Sequence, residues 1–133
     1  MEMMEPVHCR GSVLAVVIRS EWIPEGTTFV SSDECNLQLG FFVYEAGAGA
    51  ARHVHRDAMR SVRGNSEFVL VRKGRCDVDL YDENRELVRT LSLRQGDAIL
   101  LVSGGHGFRA PDDTVLLCIK QGPYSGPSEK ERF

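Results

Sequence analysis

Two imidazoles and a carboxylate lie on neighbouring stretches of the chain, and a third imidazole lies further along it. His53 and His55 flank Val54; residues two apart in an extended strand point to the same face, so both rings would face one cavity. Glu67 opens the apolar run that follows, and His106 lies in a glycine-rich stretch. Imidazole and carboxylate donors suit Fe(II), Mn(II), Zn(II) or Ni(II). The pattern predicts a divalent metal site inside a small β-barrel. Its predicted ligands are His53, His55, Glu67 and His106.

Such a site is catalytic rather than structural if the ion keeps open coordination positions. One hypothesis is isomerase or lyase chemistry through metal Lewis acidity, and a second is an Fe(II)-dependent dioxygenase. A third is a non-catalytic module that holds metal or a sugar. The catalytic candidates are Glu67, Tyr44 and Tyr124, with Tyr81 and Asp57 as further candidates for a proton acceptor.

Arginines surround the paired histidines and fill the stretch after them. Guanidinium groups bind phosphate or carboxylate in a bidentate way, which suggests a clamp for a small anionic ligand such as a sugar phosphate, nucleotide sugar or keto acid. The alternative is a solvated loop whose charges pair with neighbouring acids. The candidate substrate-binding residues here are Arg56, Arg60 and Arg63.

The elements that must position these residues have the periodicity of strands almost throughout. Apolar, β-branched or alternating runs predict strands at 13–19, 28–30, 38–45, 67–73, 75–81, 87–93, 98–102 and 115–120. Residues 52–55 are expected to be short and extended, and 57–66 to form an inserted loop. Many short strands with glycine turns and no helix indicate an all-β sandwich or barrel.

The parity of the strand at 67–73 has a consequence for its outer face. If Glu67 faces the cavity, Val69 and Val71 face it too, and Phe68 and Leu70 must point outward. An apolar outer face needs a cover, either another sheet or a second subunit, and this favours a homodimer.

Composition limits the class of protein. The 133 residues fit one domain, and the net charge of −3 argues against a nucleic-acid partner. The polar start and the short apolar run at 13–18 predict neither a signal peptide nor a membrane span, so we expect a cytoplasmic protein. The four cysteines lack a C-x-x-C pair and are expected to be free, mostly buried thiols.

Two motifs resemble those of the cupin superfamily, a double-sheet jelly roll. Gly47, His53-Val54-His55, Glu67 and Gly74 match its first motif, with a longer gap before the glutamate. Residues 96–106 are similar to the second motif, with Val102 in the place of the proline. The resemblance implies a double-stranded β-helix (a cupin jelly-roll barrel) and one domain over 1–133. Its parts would be N-terminal strands at 11–45, motif one at 47–74, motif two at 96–108 and a tail at 120–133.

The sequences GGHGF at 104–108 and KQGPY at 120–124 resemble a narrower group of small single-domain cupins, often met beside sugar-nucleotide and surface-polysaccharide genes. The resemblance implies a carbohydrate-related role, favours Arg60 among the arginines and adds Lys120 to the substrate-binding candidates. Cupin-type sugar epimerases commonly use a histidine base that binds no metal, and here only His8 would be left for that task. Cys118 stands where the group tends to carry a glutamate.

Overall fold

The computed structural model of the chain describes residues 4–122 and 130–133. Within these ranges the chain is all-β, with antiparallel strands and no helix, so no helix is long and apolar enough to cross a membrane. The strands are β1 (Met4–Cys9), β2 (Ser12–Ile18), β3 (Thr28–Phe29), β4 (Gly40–Phe41), β5 (Glu67–Lys73), β6 (Arg75–Tyr81), β7 (Leu87–Arg94), β8 (Ala98–Leu101), β9 (Gly105–Arg109) and β10 (Val115–Lys120). A five-stranded sheet has the order β1-β2-β8-β5-β10, a three-stranded sheet the order β7-β6-β9, and β3 pairs with β4.

The main core lies between the five-stranded and three-stranded sheets. Alternate residues of β6 enter it, as the two-residue periodicity of 75–81 predicts, and β5 contributes Val69 and Val71 from the opposite sheet. β8 is buried on both faces, because its apolar run lies at the centre of the larger sheet. The core residues that are 1% exposed or less include Val69, Val71, Cys76, Val78, Leu80, Leu93 and Ile99.

Phe68 and Leu70 point to the outer face of the five-stranded sheet, as the parity of Glu67 predicts. The chain itself covers this face: Trp22 and Phe41 pack there with their rings edge to face at 5.1 Å. Val30, Leu37 and Leu39 complete the cover. The apolar face on which the homodimer prediction depended is therefore covered by the same chain. The homodimer stays a prediction, and this face no longer supports it.

A buried aspartate joins the sheets at the turn between β7 and β8. Asp97 is 0% exposed, and its carboxylate accepts hydrogen bonds from the backbone N–H groups of Ser20 (2.9 Å) and Arg94 (2.8 Å) and from Arg19 Nη1 (3.2 Å). Arg19 Nη1 also donates to the carbonyl of Ser92 on β7 at 2.8 Å. Gly96 occupies the left-handed region at φ +90°, which the tight turn requires. These contacts tie the ends of β2 and β7 to the start of β8.

The strand predictions at 13–19, 28–30, 67–73, 75–81, 87–93, 98–102 and 115–120 are confirmed to within a few residues. The strand predicted at 38–45 is wrong in extent, because only Gly40–Phe41 is paired. Leu39 packs in the outer cover, partly buried, without being in a strand. The structure has no strand from residue 42 to residue 66, and residues 42–65 are all exposed. Two strands, β1 and β9, were not predicted. Pro6 lowers the strand propensity of β1, and the glycines lower that of β9. Both strands form because they pair with β2 and β6.

We expect Asp97→Ala to lower the free energy of unfolding by about 3–5 kcal/mol, because it leaves a buried guanidinium without its nearest carboxylate. Urea denaturation measures the change. The control is Asp112→Ala, which breaks the exposed 3.8 Å pair with Arg75 and should cost at most about 0.5 kcal/mol. Similar stability of the two variants would contradict the role given to Asp97.

Candidate functional site

A cavity of about 710 Å³ lies beside two edge strands, β9 of the smaller sheet and β10 of the larger one. Its lining combines charged side chains with apolar ones from the main core. The charged lining includes Glu67, His106 and Lys120, and the apolar lining includes Val69, Phe108 and Leu116. The cavity therefore offers both polar contacts and apolar walls to a small ligand.

Glu67 and His106 meet in this cavity. Glu67 begins β5 and is paired with Leu101 of β8 and Lys120 of β10, so strand pairing on both sides fixes its backbone. His106 lies on β9 opposite Leu80. The His106 Nε2 atom is 3.3 Å from Glu67 Oε2, and both side chains are partly buried. Because carboxylate oxygens only accept, the imidazole N–H is the donor in this contact.

Cys118 uses the second oxygen of the same carboxylate. Its Sγ donates a hydrogen bond to Glu67 Oε1 at 3.0 Å, so the carboxylate lies between an imidazole and a thiol. Cys118 is exposed, which corrects the expectation of mostly buried cysteines; Cys76 is buried, and Cys9 and Cys35 are partly buried. Cys118 thus contacts the candidate site directly.

These contacts shift the pKa values of Glu67 and Cys118. The hydrogen bond from His106 is the main cause that lowers the pKa of Glu67 to about 2; partial burial opposes it, and Cys118 and Lys120 add to it. Partial burial of the sulfur, followed by the hydrogen bond to the Glu67 carboxylate, raises the pKa of Cys118 to about 11. At neutral pH the site therefore holds a carboxylate and a protonated thiol.

The paired histidines lie on the segment at residues 42–66, which is exposed except for Ser66 and is called the HVH segment below. The rings of His53 and His55 are neighbours, with centroids 5.2 Å apart. His53 Nδ1 lies 2.8 Å from the carbonyl oxygen of Ala51; a carbonyl only accepts, so Nδ1 carries the proton and Nε2 keeps its lone pair in the neutral ring. Neither ring lines the cavity. Within residues 4–122 and 130–133, no three His, Cys, Asp or Glu side chains are grouped in a way that could hold a metal ion.

The other predicted site residues divide between the HVH segment and the cavity. Tyr44 is 50% exposed and stacks on Phe42, at 6.3 Å between ring centroids. Arg56, Arg60 and Arg63 are exposed on the same segment and are not among the described residues that line the cavity. Lys120 does line the cavity, and Tyr124 lies outside the described residues.

Sequence reasoning missed the contribution of residues 130–133 to the cavity. Lys130, Arg132 and Phe133 line it together with Glu67 and His106. The alternating charges before Phe133 are visible in the sequence, but nothing in that pattern indicates which surface the segment contacts.

No protein-family model, no curated protein and no solved structure matches this chain. The family resemblance therefore stays an expectation from the motifs at 47–74 and 96–108. The geometry of Glu67, His106 and Cys118 stands independently of it.

The lowered pKa of Glu67 gives a testable pH dependence. Stability from the ionised carboxylate is complete above the ordinary value of 4.5 and is lost as pH falls through about 2. We expect the side-chain carboxyl carbon of Glu67 to titrate near pH 2 by NMR, and to move toward 4.5 in His106→Ala. His8→Ala, at an exposed position of β1, should leave the titration unchanged. A wild-type midpoint at or above 4.5 would show that the His106 contact does not form.

The raised pKa of Cys118 predicts slow alkylation of an exposed thiol. We expect little reaction with iodoacetamide at pH 8, and a rate roughly tenfold higher in Glu67→Gln, which removes the neighbouring negative charge. Mass spectrometry of the modified peptide measures the rate. Cys35 is the internal control, because its Sγ contacts Ser32 at 3.6 Å rather than Glu67. Equal rates at Cys118 in both proteins would remove the carboxylate as the cause.

Proposed function

We propose that this protein is a divalent-metal-binding protein of cupin type that acts on a small anionic substrate, such as a sugar phosphate, nucleotide sugar or keto acid. The chemistry we propose is metal-assisted isomerisation or a lyase reaction. The observation that carries the proposal is the meeting of Glu67 and His106, from strands of two different sheets, in a cavity large enough for a ligand.

The Glu67–His106 pair fits two neighbouring ligands of one ion. Their donor atoms are 3.3 Å apart. Donors bound to one first-row ion at about 2.0–2.2 Å lie about 3 Å apart in neighbouring positions. His106 Nε2 would have to lose its proton for the pair to hold an ion, so binding would release a proton and weaken as pH falls.

His53 and His55 complete the proposed ligand set, and for this the HVH segment must move to the cavity. The segment exposes apolar side chains that docking would bury: Val54 is 88% exposed, Met59 102% and Phe42 68%. β9 and β10 are sheet edges, and among residues 4–122 and 130–133 no strand pairs with their outer sides. The proposed docking would bury this surface and bring the Nε2 lone pair of His53 toward Glu67. Metal binding and ordering of the segment would then be one coupled event.

A bound ion would supply Lewis acidity, which polarises a carbonyl or phosphoryl oxygen of the substrate. The chain's own groups have separate tasks. The ionised Glu67 carries negative charge to the ion, and Lys120 lies beside it on β10. Tyr44 would reach the cavity with the HVH segment as a proton donor or acceptor, and Tyr124 stays a second candidate. The open space beside Glu67 and His106 favours ligand binding over a module whose interior is filled.

Metal content tests the proposal directly. We expect protein loaded with Mn(II), Fe(II), Co(II), Ni(II) or Zn(II) and desalted to retain metal, as measured by elemental analysis. His55→Ala should abolish retention, and His53→Ala, Glu67→Ala and His106→Ala should each weaken binding by more than about tenfold. Retention should fall as the pH is lowered, because the ligands must be deprotonated to hold the ion.

His8→Ala is the matched control, since His8 is an exposed histidine outside the predicted ligand set. Hydrogen exchange of residues 42–66 gives a second readout, and metal should slow it if the HVH segment docks. If His53→Ala and His55→Ala retain as much metal as the wild type, the four-ligand site is overturned. An apo protein that retains none of these ions would overturn the metal proposal as a whole.

A further inference from the structure

The segment Lys130-Glu131-Arg132-Phe133, called the KERF segment, lines the same cavity as Glu67 and His106. We propose that the KERF segment is the wall that recognises the anionic group of the ligand, with Lys130 and Arg132 as specificity-determining cations beside Lys120. The inference rests on the proposed function in taking this cavity as the ligand site. It names the residues that select the ligand, and these are outside the predicted arginine clamp.

An aromatic contact anchors the KERF segment next to the site. The ring of Phe133 meets that of Tyr81 edge to face, with centroids 5.0 Å apart and an interplanar angle of 84°. The guanidinium carbon of Arg85 lies 5.2 Å from the centroid of the Phe133 ring. Tyr81 ends β6 and Arg85 lies in the turn that follows, so both contacts come from one end of the smaller sheet.

Gly105 provides the space for this anchor. It lies directly before His106 and opposite Tyr81 in the β6–β9 pairing. A Cβ atom at Gly105 would be 3.0 Å from Cζ and 3.1 Å from Cε1 of Phe133, tighter than most such contacts, so the ring would have to shift by a few tenths of an ångström. The second glycine of GGHGF therefore lets the Phe133 ring lie close to β9 and has no unusual φ. β9, which carries His106, and the KERF segment, which carries Arg132, therefore pack closely at Gly105 and Phe133.

The charges of the cavity favour an anion. Glu131 is paired with Arg85, with 3.0 Å between Nη2 and Oε2, which directs its carboxylate to the turn after β6. Among the described residues, the lining carries the cations Lys120, Lys130 and Arg132 and the carboxylates Glu67 and Glu131, so cations outnumber carboxylates. A metal ion would offset Glu67 further. Lysine and arginine form charge-assisted hydrogen bonds to phosphate or carboxylate, and arginine does so in a bidentate way.

The positions of these groups also determine how a bound ligand would be oriented. The KERF cations and the Glu67–His106 pair line one cavity, so an anionic group on the KERF wall leaves the rest of a small molecule near the proposed metal ligands. Apolar walls from Phe108 and Leu116 suit the carbon skeleton. The predicted ligand is therefore a small phosphate- or carboxylate-bearing molecule rather than a neutral sugar.

The test compares glucose 6-phosphate, inorganic phosphate and glucose as probes on the full chain by isothermal titration calorimetry. We expect the two phosphates to bind and glucose not to bind. The double variant Lys130→Gln/Arg132→Gln should bind glucose 6-phosphate at least about tenfold more weakly, the loss expected when charge-assisted contacts are removed. The matched control, Arg72→Gln/Lys73→Gln, removes two exposed cations of β5 outside the cavity lining and should bind as the wild type does.

Phe133→Ala tests the anchor without emptying the core, since Phe133 is still 61% exposed. It should weaken the phosphate probes in the same direction while circular dichroism stays that of the wild type. Unchanged affinity in the Lys130/Arg132 variant would overturn the proposal. So would a wild-type protein that binds neither phosphate up to about 10 mM.

Metal retention, measured in parallel, separates this inference from the proposed function. Phosphate binding that depends on the KERF segment in a protein without metal affinity would overturn the metal proposal and leave this one standing. If the protein retains metal but its phosphate affinity is unchanged in the Lys130/Arg132 variant, the metal proposal stands and this inference is overturned.

Discussion

The hydrogen bonds of one buried carboxylate determine how the two sheets meet. Asp97 holds the backbone N–H groups that follow β2 and end β7, so strands of both sheets converge on the start of β8. β8 in turn pairs with β5 and sets Glu67 opposite Leu101. Burial of a charged group is tolerated because every contact here is a charge-assisted hydrogen bond or an ion pair with Arg19. The position of the site carboxylate thus depends on a turn at the other end of the central strand.

The proposed metal ligands differ in how strand pairing positions them. Glu67 and His106 are on paired strands, so strand pairing fixes the backbones that carry them. His53 and His55 are on a segment without strand pairing, and ordering that segment costs conformational entropy. The affinity for a metal ion would then reflect this cost as much as the strength of the ligand bonds. A bound ion that orders residues 42–66 would also change the exposure of Tyr44 and Arg60, which lie on them.

The parts of the fold that the sequence predicts are those where one strand's own pattern decides its burial. The alternation in 75–81 was sufficient for β6, and the parity of Glu67 with Val69 and Val71 correctly placed Phe68 and Leu70 on the outer face. β9 could not be predicted, because a glycine-rich run becomes a strand only through its partner β6. The same pairing sets His106 beside Glu67, so the contact depends on tertiary structure. The thiol of Cys118 at Glu67 Oε1 required the β5–β10 register, which no local pattern specifies.

The edges of the sheets differ in how they are protected. β1 carries Pro6, which has no backbone N–H to offer to another strand, and β9 carries a charged Arg109. β10 instead presents Val115, Leu117 and Ile119, each 51–56% exposed, along an outer strand. Strands of this kind readily recruit extended chains, including identical ones. Self-association at high protein concentration is therefore expected to depend on how well the outer edge of β10 is covered, although the same strand also places Cys118 at Glu67.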